Sequence, residues 1–133
     1  MDFNYKFRTD PEKLKGTVVP LFPGDPATIT VRRLNNEEYI ATLTAYAEEY
    51  RREKKVITIP DKDWQELQCI ALAKHVLVGW SGFTDKGTPV PYTEVAAAAF
   101  MKESPDFRTR VVNEAADLDN FVFEMETTIA KNS

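Results

Sequence analysis

Cys69-Ile70-Ala71-Leu72-Ala73-Lys74-His75-Val76-Leu77-Val78-Gly79-Trp80 is the stretch on which the fold turns. Residues 69–78 are apolar except for Lys74 and His75. Asp61 and Asp63 stand upstream, where a carboxylate suits the positive end of a helix. Trp64, Leu67, Ile70, Ala71, Leu77 and Val78 supply a buried face. The segment therefore predicts a central helix over 61–78, ended by Gly79, because glycine accepts the left-handed position past a last turn. A helix this apolar needs cover on several sides, and the rest of the chain must provide it.

Upstream, Tyr39, Leu43, Tyr46 and Tyr50 recur at helical spacing, with Ile40 and Ala47 beside them. They predict an amphipathic helix over 36–54. Asn35 is the expected cap, with Glu38 three residues later as in a capping box. Val56-Ile57-Thr58-Ile59, stopped by Pro60, reads as a short extended run able to add an edge strand. Before it, residues 15–22 and 27–34 are β-rich and flank Pro23-Gly24-Asp25-Pro26, a turn signal. A β-hairpin follows, and a lone hairpin is marginal in water, so it must pack on helices or on another chain. Residues 1–14 show no period and read as a loose arm.

Downstream, residues 80–92 form a long loop rich in turn residues and aromatics. Thr93 caps a predicted helix over 94–103, whose alanine run favours helix. Ser104-Pro105-Asp106 opens a last helix, with serine as cap and proline in the first turn. Val111, Ala115, Leu118, Val122, Met125 and Ile129 are spaced by four, three, four, three and four. That is the seam of a coiled coil, and it extends the helix to about 131. Phe107, Phe121 and Phe123 flank or leave the seam. Either this helix crosses the core, or it also serves a neighbouring subunit. The fold class is thus mainly α with a small N-terminal β-hairpin, in one domain spanning 1–133.

The chain has 133 residues, 43% of them apolar and 29% charged, as a soluble globular domain would. No apolar run approaches the roughly 20 residues of a membrane helix, and the N-terminus lacks the basic flank and apolar stretch of a signal peptide. A cytoplasmic protein with no membrane association is expected. Net charge is −4, which disfavours a nucleic-acid binder. Arg51, Arg52, Lys54 and Lys55 form the compact basic run; cations suit a helix C-terminus, and the alternative is a docking patch for an acidic partner. One cysteine and one histidine exclude an internal disulfide and a Cys/His zinc cluster. Cys69 and His75, six apart, face differently on a helix. Asp85-Lys86-Gly87 has a faint likeness to a calcium loop without the other ligands, and no Gly-Lys-Ser/Thr follows the glycines. No catalytic residue, metal or cofactor is expected; the work is binding and assembly.

The 80–92 loop has two readings. Trp80 and Phe83 plug the core while the prolines stiffen a crossing, or the loop is a recognition surface, since tryptophan and tyrosine dominate interface energetics. At this loop a family likeness emerges. Leu77-Val78-Gly79-Trp80-Ser81-Gly82-Phe83-Thr84-Asp85-Lys86-Gly87-Thr88-Pro89-Val90-Pro91-Tyr92-Thr93 resembles the central motif of tail assembly chaperones of long-tailed bacteriophages. Val31-Arg32-Arg33-Leu34-Asn35-Asn36 resembles the approach to that family's first helix, and Ser104-Pro105-Asp106 with Asn120-Phe121 its C-terminal part. The likeness covers roughly 28–130.

The resemblance implies a small, helical, non-enzymatic chaperone in the host bacterial cytoplasm, absent from the finished virion. Such proteins coat the apolar tape-measure protein before tail-tube protein polymerises around it. Many exist in a short form and a frameshifted longer form that recruits the tube subunit; this chain would be the short form, and Ala130-Lys131-Asn132 permits slip-prone codons. Self-association into a ring or spiral is expected. The residues expected at partner or subunit contacts are Trp80, Phe83, Pro91, Tyr92, Phe121, Phe123 and Met125, with Trp80 also expected to support the monomer. The rival readings are a tail-completion or connector protein of the virion and a small regulatory, antitoxin-like binding module.

Overall fold

The computed structural model describes residues 9–122. Strands β1 (Thr17–Pro20) and β2 (Thr28–Val31) pair antiparallel, with Val19 opposite Ile29. The expected hairpin is therefore present, with shorter strands than the 15–22 and 27–34 runs. Between them the Phe22 carbonyl accepts from the Asp25 amide at 3.0 Å. Pro23 and Gly24 occupy the two central positions, and Gly24 has φ +79°. The Asp25 carboxylate then accepts from the Ala27 amide at 2.8 Å.

Four α-helices follow among the described residues: α1 (Glu37–Lys54), α2 (Asp61–His75), α3 (Glu94–Glu103) and α4 (Pro105–Ala116). Thr93 and Ser104 cap α3 and α4 as expected, accepting from Ala96 and Phe107 amides. The cap of α1 is Asn36 rather than Asn35: its side-chain oxygen accepts from the Tyr39 amide at 2.9 Å. Helix α2 starts after Pro60 with no side-chain cap; Asp61 and Asp63 lie inside its first turn, where their charge favours the helix end. Tyr50 donates to Asp63, tying α1 to α2.

The central helix is shorter than 61–78. It ends at His75, and Leu77–Ser81 forms strand β3, which pairs antiparallel with β2. Val76-Leu77-Val78 is rich in β-branched residues, and a two-stranded hairpin needs a third strand or a packed face. Tertiary demand thus outweighs the helical continuation. Gly79 lies within β3 opposite Thr30, not at a helix end. The sheet order is β1-β2-β3. Residues 56–59 add no strand. Lys55 turns left-handed at φ +55°, and the Ile57 carbonyl accepts from Arg51 Nε, which folds the segment back on α1.

The 80–92 loop contains β4 (Thr84–Asp85) and β5 (Thr88–Pro89), joined by Lys86 and Gly87 at φ +51° and +84°. Two central residues at positive φ make the tight hairpin turn whose twist suits antiparallel strands. That geometry explains the Asp-Lys-Gly sequence.

The last helix stops at Ala116 instead of running to about 131. Asp117 accepts from the Asp119 amide, and Asn120 Nδ2 donates to the Glu114 carbonyl, so short polar side chains replace the helical bonds. A 3-10 turn, Leu118–Asn120, follows. The heptad seam is broken there: Leu118 is exposed, while Phe121 drops into the core. Met125, Ile129 and Phe123 lie outside the described residues, as do residues 1–8 of the expected arm. Thr9 bridges to Val122, and the Asp10 amide donates to the Phe121 carbonyl at 2.8 Å.

The core joins sheet and helices around α2. Ile29 and Val31 from β2, Leu72 and Ala73 from α2, Met101 from α3 and Val111 from α4 are all fully buried. Helix α2 packs against α1, α3 and β3, and α4 packs against α3 and β2. Ile40 and Ile70, expected on inner faces, are exposed.

The C-terminal end of α2 is buried against these layers, and helix ends leave orphan carbonyls. Asn36 Nδ2 donates to the His75 carbonyl at 2.9 Å and to the Arg33 carbonyl at 2.7 Å. The Arg32 amide donates to the Val76 carbonyl. One amide side chain thus starts α1 and finishes α2. Asn36→Ala should lower unfolding free energy by about 2–4 kcal/mol, a lost cap plus unpaired carbonyls. Asn35→Ala, at an exposed position, should stay within about 0.5 kcal/mol. Urea unfolding of the two variants checks this.

Candidate functional site

Five aromatic side chains gather where β3, the β4–β5 hairpin, α3 and α4 meet. Trp80 stacks on Phe83 with ring centres 4.8 Å apart, and Tyr92 meets Trp80 edge-on at 5.2 Å. Phe100 and Phe107 meet edge-on at 4.5 Å, and Phe107 also lies 5.9 Å from Phe83. Offset and edge contacts of this kind suit the ring quadrupoles. Trp80 Nε1 donates to the Val90 carbonyl at 2.8 Å, which draws the 82–90 excursion back onto β3.

Tyr92 is fastened more deeply. Its hydroxyl lies 2.7 Å from the Ala73 carbonyl and 2.6 Å from the Leu77 carbonyl. It shares one proton between the last turn of α2 and the first residue of β3. Burial, and secondarily the Glu94 charge, push its pKa up from 10 to about 12.

Beside this cluster runs an open groove of about 780 Å³. One wall is the hairpin loop, with Leu21, Phe22, Asp25 and Ala27. The other is the elbow between α3 and α4, with Phe100, Phe107 and Arg110, and Phe83 forms the floor. Phe22 is 55% exposed and Phe100 42%, large apolar surface for a solvated position. Arg110 holds the two walls at a fixed distance. Its Nε donates to the Leu21 carbonyl at 2.6 Å, its guanidinium lies 5.5 Å from the Phe22 ring centre, and Glu114 pairs with it at 3.1 Å. Gly82 sets the end of the groove. At φ +81°, its missing Cβ would stand 3.0 Å from the Ala27 Cα, so backbone meets backbone there.

A polar junction lies at the start of α1. Arg32 pairs with Glu38 at 3.1 Å and holds the Glu38 carboxyl below its usual range, first through that hydrogen bond and then through its charge. His75 Nε2 bonds Thr42 Oγ1 at 2.9 Å, and Nδ1 lies 3.4 Å from Glu38. Cys69 is buried, with Arg108 at 3.8 Å from its sulfur. Among the described residues, no group of three or more His, Cys, Asp and Glu is arranged to hold a metal ion. No helix among them is long and apolar enough to cross a membrane.

The structure thus brings Trp80, Phe83 and Tyr92 together as half-buried packing against the core, with Phe83 reaching the groove, while Pro91 stays at the surface. Phe121 does not stand on a helix face: it is 1% exposed, inside the core. Phe123 and Met125 lie outside the described residues. No motif or spacing in the sequence marks Phe22, Phe100 or Arg110 as site residues. A phenylalanine directly before Pro-Gly was the available signal for Phe22, because a turn leaves such a ring little interior to enter.

A sequence model of the YdaY prophage protein family matches residues 34–132. The match spans most of the chain, and the chain belongs to that family. No curated protein and no solved structure matches it.

Two measurements test this site. Phe121→Ala should cost about 3–5 kcal/mol as a core deletion, whereas Phe22→Ala should cost about 1 kcal/mol or less, by thermal unfolding. For Tyr92, a folded pKa above the ordinary 10 contributes stability present below pH 10 and lost as pH rises through about 12. Tyr92→Phe should lower stability near neutral pH and make the alkaline decline between pH 10 and 12 shallower than in the parent.

Proposed function

We propose that this prophage protein is a non-enzymatic tail assembly chaperone that binds and solubilises the tape-measure protein and helps recruit tail-tube subunits. The observation that carries the reading is the exposed aromatic groove between the hairpin loop and the α3–α4 elbow. A long helical protein with apolar stripes aggregates alone, and a small acidic partner that covers part of such a stripe keeps it in solution. A groove with rigid walls and exposed phenylalanines presents the surface that apolar helix faces take. The segment that resembles the chaperone motif, residues 77–93, builds β3, the β4–β5 hairpin and Tyr92, and so forms the floor and one end of that groove. The reading places the protein in the host cytoplasm during assembly, self-associating, and missing from the mature virion.

Co-expression with the long helical product of the same prophage, followed by size exclusion with light scattering, tests it. A soluble stoichiometric complex, with the long partner insoluble by itself, is the expected result. The double variant Phe22→Ser/Phe100→Ser should fold yet leave the partner insoluble. A chain that ignores that partner and is recovered in purified virions would instead identify a connector component.

A further inference from the structure

Resting on that reading, we infer that the groove takes an amphipathic helix whose apolar face is flanked by lysine or arginine. Two features of the walls set this choice. The first is the state of the backbone. The Leu21 amide donates to the Ala27 carbonyl, the Leu21 carbonyl accepts from Arg110, and the Phe22 carbonyl accepts from Asp25. The Ala27 amide is held by the Asp25 side chain, and the Phe83 carbonyl by the Val90 amide. With both backbone groups of Leu21 and of Ala27 bonded inside the chain, and the Phe22 and Phe83 carbonyls as well, the walls do not present a continuous ladder for an added strand. They offer rings and methyl groups, which recognise side chains at i, i+3, i+4 and i+7 of a helix.

The second feature is charge. Asp25, Asp106 and Arg110 are the ionisable residues that line the groove. Arg110 is already paired with Glu114 and bound to the Leu21 carbonyl. Asp106 is exposed and makes no ion pair among the described residues, and Asp25 spends one carboxylate oxygen on a backbone amide. The rim is therefore negative around an apolar floor. A helix with basic flanks gains at both levels, and one with acidic flanks is repelled from the same apolar contacts, which is how charge at a rim gives specificity.

The test uses the full chain and two synthetic helical peptides with one shared Leu/Phe face, flanked by lysine in one and by glutamate in the other. Fluorescence anisotropy at low salt should show the lysine peptide binding about three- to tenfold more tightly, as a few exposed ion pairs allow. The preference should shrink in high salt and in Asp25→Asn/Asp106→Asn, which keeps the Asp25 turn bond and the apolar floor. Phe22→Ser should weaken both peptides. Equal binding of the two peptides, or tighter binding of the glutamate peptide, overturns the basic-flank inference while leaving the groove as a docking site. Binding of neither peptide overturns the helix-in-groove reading as well.

Discussion

The end of one helix governs this structure. Helix α2 is the central layer, and its C-terminus is buried where three other elements converge. Buried carbonyls without partners are costly, so the position of that end fixes what must surround it. Asn36 answers from the start of α1, the Arg32 amide from the end of β2, and Tyr92 from the segment leading into α3. Arg32 and Asn36 belong to the short stretch that links β2 to α1, and Tyr92 comes from far downstream. The relative placement of α1, the sheet and α3 is therefore set by a few directional bonds, and apolar packing then fills the space they define. The groove inherits its shape from this arrangement, because Tyr92 and Trp80 are in edge contact and Trp80 carries Phe83.

Arg110 plays the corresponding part at the surface. A guanidinium that donates to a backbone carbonyl, lies over a ring and pairs with a carboxylate has few remaining orientations. It fastens a seven-residue-scale loop to a helix, and so gives an exposed aromatic a fixed rather than a wandering position. Rigid aromatic surface binds at lower entropic cost than surface that must first be ordered.

Much of this fold is legible in the sequence, and what is not shares one physical cause. Thr93 and Ser104 announced their helices because capping is local chemistry. Tyr39 and Ala47 announced a helix because its period is written along the chain. The end of α2 is ambiguous in the sequence because Val76-Leu77-Val78 satisfies both a helix interior and a strand, and only the need of β2 for a partner decides between them. The sequence carries the last helix too far because its heptad spacing continues past Asp117 and Asn120, whose side chains intercept the backbone bonds. The groove was largely hidden. Trp80, Phe83 and Tyr92 were conspicuous by residue type, yet they mainly hold the molecule together, whereas Phe22 and Phe100 form surface through the meeting of segments far apart in sequence.

The bridge between Thr9 and Val122 carries a mechanical consequence. Thr9 and Val122, the first and last described residues, are neighbours, so both ends of the described body lie at one pole. Tension applied between Thr9 and Val122 would load the bridge, the Asp10–Phe121 bond and the Lys13–Val122 bond as a zipper, one contact at a time. The Arg33 side chain, which donates to Thr9, carries the same pull toward the end of β2.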